Sequence, residues 1–312
     1  MKKWLGLLIF FCCWITAGLA FSLYAGDAYQ YHRPEKNARL TRIVSTAPNL
    51  TEILFALGLD DRIVAVSSGS DYPLQAKERK KIGSFWQPDI EAVISAGPDL
   101  VVTLGFTRQK NLARRLQRVG YKTISVNIEK VSELYSAIKK IGSATGKKDK
   151  ALELVEQIRN ELNTLSQRLK GPRPKVLYVV QREPLRVAGL NTFVNEIIEL
   201  AGGQNAIGST IQMYPPIGAE QIIACKAQVI IEPVMAGGSL VEQKNNALKY
   251  WNKFPSLPAV KKDRIYAIDA DIVSRLSPRL PQAVKTMAGC IRIELFENSE
   301  NERAFNSKEV KN

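Results

Sequence analysis

From Arg39 onward, short apolar, β-branched runs alternate with stretches in which apolar positions recur every three or four residues. The first pattern is that of a buried strand and the second that of a helix with one buried face. Their alternation predicts parallel sheets with crossover helices. Strands are predicted at 42–45, 63–66, 100–104 and 123–126, with helices starting near Thr51, Ile90, Lys110 and Val131. The stretch 149–169 differs, because Leu152, Val155, Ile158, Leu162, Leu165 and Leu169 recur over 21 residues without a break. It predicts one helix on the order of 31 Å long, stopped by Gly171-Pro172-Arg173-Pro174. Such a helix serves either as a strut between lobes or as a packed crossover. The alternation then resumes, with strands at 176–180, 229–232 and 264–268 and helices at 193–201, 219–226 and 281–296. A polar tail, 297–312, follows.

The resulting organisation is an N-terminal α/β lobe at 39–146, a linking helix at 147–171 and a C-terminal α/β lobe at 172–296. A weak repeat supports duplication. Glu91-Ala-Val-Ile-Ser-Ala-Gly-Pro-Asp99-Leu-Val-Val and Glu220-Gln-Ile-Ile-Ala-Cys-Lys-Ala-Gln228-Val-Ile-Ile share a register in which Glu opens a helix and a buried strand begins nine residues later. An acidic residue in a first helical turn is also ordinary helix chemistry.

The first 26 residues change where this fold is expected to work. Lys2 and Lys3 precede an uncharged apolar run from Trp4, and Gly18, Ala20, Ala25 and Gly26 supply small residues near its end. This is the pattern of a secretory signal peptide. The alternative is an uncleaved anchor through residues 4–24, because about 20 apolar residues span a bilayer. Export places the chain in the periplasm. It leaves Cys225 and Cys290 as either one disulfide or two buried thiols, and neither has metal-ligand spacing.

Composition then narrows the class. A chain of 312 residues with 45% hydrophobic and 24% charged content is long enough for two cores. Its 44 basic and 30 acidic residues give +14, and removal of Lys2 and Lys3 lowers this to +12. Export and the lack of aromatics interleaved with Arg and Lys argue against nucleic acid. The only histidine is His32, and no nucleophile elbow, phosphate loop or dinucleotide fingerprint is present. The expectation is therefore a protein that is not an enzyme, with no cofactor, no catalytic residue and no metal site.

Several segments carry a family resemblance. Arg42-Ile-Val-Ser-Thr-Ala-Pro48-Asn-Leu-Thr51-Glu52-Ile-Leu-Phe-Ala-Leu-Gly58, Val66-Ser-Ser-Gly-Ser-Asp71-Tyr72-Pro73, Pro88-Asp-Ile-Glu91 and Pro98-Asp99-Leu-Val resemble the cobalamin-type and siderophore-type periplasmic binding proteins of ABC importers. The similarity spans about 39–295. It implies two Rossmann-like lobes joined by one long rigid helix, the class III helical-backbone type. It also implies a monomer that captures a small molecule between its lobes and delivers it to an ABC permease dimer with its ATPase subunits.

Site residues follow from the same resemblance. Glu91 and Glu220 match the glutamates that pair with permease arginines. Asp271 and Arg275 match a polar pair facing a corrinoid, although residues four apart also suit a helix-surface ion pair. Phe85 and Trp86 fall at a stacking tryptophan, and Tyr214 replaces a second aromatic wall. Tyr72 belongs to the matched Ser-Asp-Tyr-Pro segment. Gly69 and Leu104 stand where the cobalamin branch has a tyrosine and a tryptophan. Trp251 is as readily a packing residue as a wall. The leading expectation is a cobalamin receptor. A ferric siderophore or haem is the alternative within the class, and a two-lobed envelope glycan-processing enzyme is the alternative outside it.

Overall fold

The computed structural model describes residues 41–234 and 239–295. The export segment and the polar tail lie outside the described residues. Ile43-Val44-Ser45 forms β1 (Ile43–Ser45), and all three side chains are buried, as a strand covered by helices on both faces requires. Around it stand β2 (Ile63–Val66), β3 (Lys80–Lys81), β4 (Leu100–Leu104) and β5 (Thr123–Val126), in the order β3-β2-β1-β4-β5 with all pairings parallel.

Alternate residues of these strands face two helical layers. Ile43, Val66, Leu100 and Val102 pack against α1 (Pro48–Ala56) and α4 (Val131–Ala144). Val44, Ala65 and Val101 pack against α2 (Ile90–Ser95) and α3 (Thr107–Arg118). This two-sided covering is the doubly wound α/β arrangement.

The second sheet contains β6 (Lys175–Arg182), β7 (Leu185–Val187), β8 (Gln204–Asn205), β9 (Val229–Val234) and β10 (Ile265–Asp269). Its order is β10-β9-β6-β7, with β8 also parallel to β6 and β7 antiparallel to it. One face meets α6 (Phe193–Leu200) and α11 (Leu280–Ile291). The other meets α7 (Ala219–Cys225), α8 (Leu240–Trp251) and α9 (Pro258–Lys261). The short α10 (Ala270–Val273) follows β10. The predicted strands and helices agree with those observed to within a few residues. The sequence pattern missed β3, β7 and β8, which have only two or three residues, α9 and α10, which have four each, and α8, whose mixed polarity hid its period.

Between the sheets runs α5 (Lys148–Arg168), which buries Ala151, Val155, Ile158 and Leu162. These residues belong to one continuous apolar cluster that includes Ile43 and Leu50 from the first lobe and Val176, Ile197 and Met287 from the second. A core shared in this way ties the strut to both lobes. The predicted apolar stripe is corrected at its start, where Leu152 is 43% exposed and Ala151 takes the buried position. The cause lies in α4, whose Gly142 sits so close to Ala151 that a Cβ on the glycine would collide with the alanine methyl. Only a small residue permits that approach. Cys225 and Cys290 are free buried thiols in different clusters, which settles the cysteine alternative, and burial pushes the Cys290 thiol up to about 11.

Candidate functional site

In an open α/β sheet, loops at the carboxyl ends of the strands form the binding edge. The loop after β3 folds back on itself through an antiparallel bridge between Gly83 and Pro88. Gly83 has φ +87°, and a Cβ there would lie 3.0 Å from the Gln87 carbonyl, so glycine is required. The turn carries Phe85 and Trp86. Their ring centroids are 4.6 Å apart, and Trp86 lies 5.4 Å from Phe106 at the start of α3. Trp86 is 60% exposed, an unusual position for an indole with two aromatic neighbours.

A buried amide braces this aromatic corner. Gln109 is fully buried. Its Nε2 donates to the Phe85 carbonyl at 2.7 Å and to the Thr46 carbonyl at 3.2 Å. Its Oε1 accepts from the Leu104 N–H at 2.7 Å and from the Thr46 hydroxyl at 2.5 Å. One side chain thus joins the loops after β1 and β3 to the last residue of β4. Hydroxyls make a second brace, with Thr51 bonded to Ser45 and Ser70, and Ser67 to Ser70. They hold the 67–70 loop against α1.

The other wall is ionic and joins the lobes. Glu52 is 3% exposed and accepts from Arg279 Nε at 2.8 Å, Arg279 Nη2 at 2.6 Å and the Ser277 hydroxyl at 2.6 Å. A carboxylate this desolvated persists only with such partners. Arg279 also bonds Asp271 at 3.1 Å, and its guanidinium stands 4.0 Å over the Tyr72 ring. Arg275 donates to Asp71 at 2.7 Å and to the Gly69 carbonyl at 3.2 Å, and it pairs with Asp271. Burial opposes ionisation of Asp71, but the Arg275 hydrogen bond and charge outweigh it and hold the carboxyl below its ordinary range. Burial likewise disfavours charge on Arg279, and the Glu52 and Asp271 carboxylates overcome it and raise its pKa. Beside the network a cavity of about 460 Å³ is lined by Glu52, Phe55, Tyr72, Pro73, Pro278 and Arg279.

The structure groups the predicted residues differently from the resemblance. Phe85 and Trp86 stand together, joined by Phe106. Tyr72 is held against Arg279. Tyr214 is half-buried, with its carbonyl held by Arg186 at 3.1 Å. Burial, and then Glu129 of the first lobe, raise the pKa of its hydroxyl. Asp271 and Arg275 do pair, but Arg275 lies beyond the end of α10, so the helix-surface reading is corrected. Gly69 lies in an exposed loop, and a Cβ there would meet only Pro48 at 3.5 Å. The backbone therefore leaves room for a side chain that the sequence does not supply. Trp251 is fully buried and donates to Glu232 at 2.6 Å, which makes it a packing residue.

Glu91 and Glu220 are exposed in the first turns of α2 and α7, and neither is in an ion pair among the described residues. Sequence reasoning gave no role to Glu52, Asp71, Phe106, Gln109, Ser277 or Arg279. One signal was available, because a lone carboxylate within the apolar run Leu50 to Leu57 needs a buried partner.

A family model described as a periplasmic binding protein matches residues 43–272. An uncharacterized ABC transporter substrate-binding lipoprotein of Bacillus subtilis is 30% identical over 266 residues, covering 82% of this chain and 81% of that protein. A vitamin B12-binding protein of Vibrio cholerae is 26% identical over 256 residues, covering 81% and 89%. Among solved structures, a possible iron-binding (periplasmic solute-binding) protein of Staphylococcus epidermidis superposes with a TM-score of 0.71 at 29% identity, covering 81% of this chain and 99% of that one. With two α/β lobes on a shared strut and a family match across most of the described residues, the chain belongs to the periplasmic binding protein family.

Proposed function

We propose that the protein is the solute receptor of an ABC importer and that it takes a corrinoid between its lobes. Members of its family are solute-binding proteins, and its relatives include a substrate-binding lipoprotein of an ABC transporter and a vitamin B12-binding protein. The observation that carries the ligand reading is the exposed Phe85, Trp86 and Phe106 corner, braced from behind by Gln109. A preformed aromatic platform with few polar groups suits a large, flat, partly apolar ligand. Across the cleft, Tyr214, Asp271 and Arg275 supply the polar contacts. Glu91 and Glu220, one on each lobe, dock the loaded receptor on permease arginines and fix its orientation. Work is done in the periplasm, and the energy comes from the partner ATPase.

Calorimetric titration with cyanocobalamin tests the ligand. Micromolar or tighter binding supports the corrinoid reading, and retention of a ferric siderophore or haem in its place rejects it. That second reading has its own support, since Gly69 and Leu104 lack the aromatic rings of the cobalamin branch and a structural neighbour is described as possibly iron-binding. The glycan-enzyme reading finds none, because Glu52, Asp71 and Asp271 are all engaged by arginines. Docking is tested separately. Glu91→Ala with Glu220→Ala leaves affinity in solution unchanged while uptake falls. A parallel loss of affinity would move both glutamates into the pocket.

A further inference from the structure

α3 is charged in a way that the other long helices are not. Within Thr107–Arg118 it carries Arg108, Lys110, Arg114, Arg115 and Arg118 and no Asp or Glu. Gln109, Leu112, Ala113 and Leu116 are its buried residues, so the cations occupy the opposite arc, and all five are exposed. None of them is in an ion pair among the described residues. Arg114 bonds only its own helix, at Asn111. An ordinary solvated helix face mixes signs, as α5 does with Lys150 to Glu153 and Arg159 to Glu156. By contrast, α3 sets Lys110 against Arg114 and Arg114 against Arg118 at i,i+4, where like charges destabilise a helix. Among the described residues no acid relieves that repulsion.

We infer that this cationic face is a docking surface for an anionic phospholipid bilayer. A bilayer presents a plane of diffuse negative charge that needs no matched shape, and a straight helix face about 18 Å long fits it. A folded acidic partner fits less well, because the exposed positions between the cations are Thr107, Asn111 and Gln117, with no large apolar or aromatic anchor. A nucleic acid fits less well because no aromatic ring is interleaved with the cations from Arg108 to Arg118, Trp86 and Phe106 standing together at the N-terminal end of the helix. α2, which carries Glu91 in its first turn, packs on the same sheet face as α3. Attraction to the bilayer therefore keeps the proposed permease contact near the plane in which a permease lies and raises the rate of their encounter. The inference stands whichever solute the cleft takes.

The test uses residues 40–312, which contain both cores, so that the apolar 4–24 segment does not insert on its own account. Flotation is measured with vesicles of phosphatidylcholine alone and of phosphatidylcholine with phosphatidylglycerol. Binding to the anionic vesicles only, weakening as salt is raised, is expected. Arg114→Gln, Arg115→Gln and Arg118→Gln together lower partitioning on the order of a hundredfold without lowering the urea midpoint. Lys170→Gln, Lys261→Gln and Lys262→Gln together remove the same charge from exposed sites elsewhere and leave most of the binding. Equal losses in the two triple variants would show that net charge acts rather than this face, and overturn the inference. So would equal binding to both vesicles, binding to neither, or capture of single-stranded DNA without capture of vesicles.

Discussion

The two lobes bring unlike walls to the cleft. The first offers carbon, with Phe85, Trp86 and Phe106 held on loops that the neutral, fully bonded Gln109 braces from behind. The second offers charge, with Asp271, Arg275 and Arg279 reaching across to Glu52 and Asp71 of the first lobe. The aromatic wall is a row of tilted rings centred on Trp86, whose loop Gln109 holds through the Phe85 carbonyl and not through the rings themselves. The ionic wall is mutual. Each charge is tolerated because another is present, and the effects of changes there do not add.

The largest expected effect comes from Arg279→Leu, which removes both close guanidinium bonds from the buried Glu52 and leaves it only the Ser277 hydroxyl and a longer 3.7 Å contact to Arg275. Unfolding in urea would show a loss of about 3–5 kcal/mol. Glu52→Leu combined with Arg279→Leu recovers much of it, because no buried charge is then stranded. An additive double variant would mean that the pair is not coupled. Next, Gln109→Leu removes four hydrogen bonds at once and leaves Leu104 N–H and the Thr46 and Phe85 carbonyls without a partner. It costs about 1–3 kcal/mol of stability and also weakens ligand binding, since the platform loses its brace.

Trp86→Ala separates the two walls from the other side. With 60% of the residue exposed, the urea midpoint hardly moves, while affinity for the corrinoid falls by roughly 1–3 kcal/mol, by analogy with bases stacked on aromatic side chains. An unchanged dissociation constant would remove Trp86 from the site. The smallest effect is a pH dependence at Asp71. Its pKa in the folded protein is held below the ordinary 3.8, so pairing with Arg275 stabilises the fold above that value and is lost as the pH falls through the lower one. The stability gap between the wild type and Asp71→Asn therefore narrows on acidification below about pH 4. A gap that stays flat would mean that Arg275 holds Asp71 only in passing, and one that widens would mean that burial outweighs the pairing.

Much of the fold was legible because parallel strands and amphipathic helices leave strong periodic marks. The runs at 63–66, 100–104 and 123–126 coincide with β2, β4 and β5, and α5 was visible from its period alone. Leu152 shows the limit. Its period assigned it to the core, but a neighbouring glycine on α4 brought the helices too close for a leucine. The site was legible in its motifs more than in its contacts. Thr51-Glu52 was part of a recognisable segment, and nothing local indicated that Glu52 and Arg279, more than 200 positions apart, form one buried pair. Trp251, which the sequence left open between packing and a wall, is wholly enclosed, and only the tertiary structure decides between the two.

By itself, then, the sequence determined which segments become strands and helices, that two α/β lobes flank a long helix, and which family the chain resembles. Those properties depend on local periodicity and short motifs. It also held the +14 charge without indicating where it matters. Tertiary structure decided that Glu52 is desolvated against Arg279, that Gln109 supports the aromatic corner, and that the five cations of α3 face outward with no acid paired to them among the described residues. These depend on which surfaces packing removes from water and which it leaves exposed, and that choice is made only when distant segments close on one another.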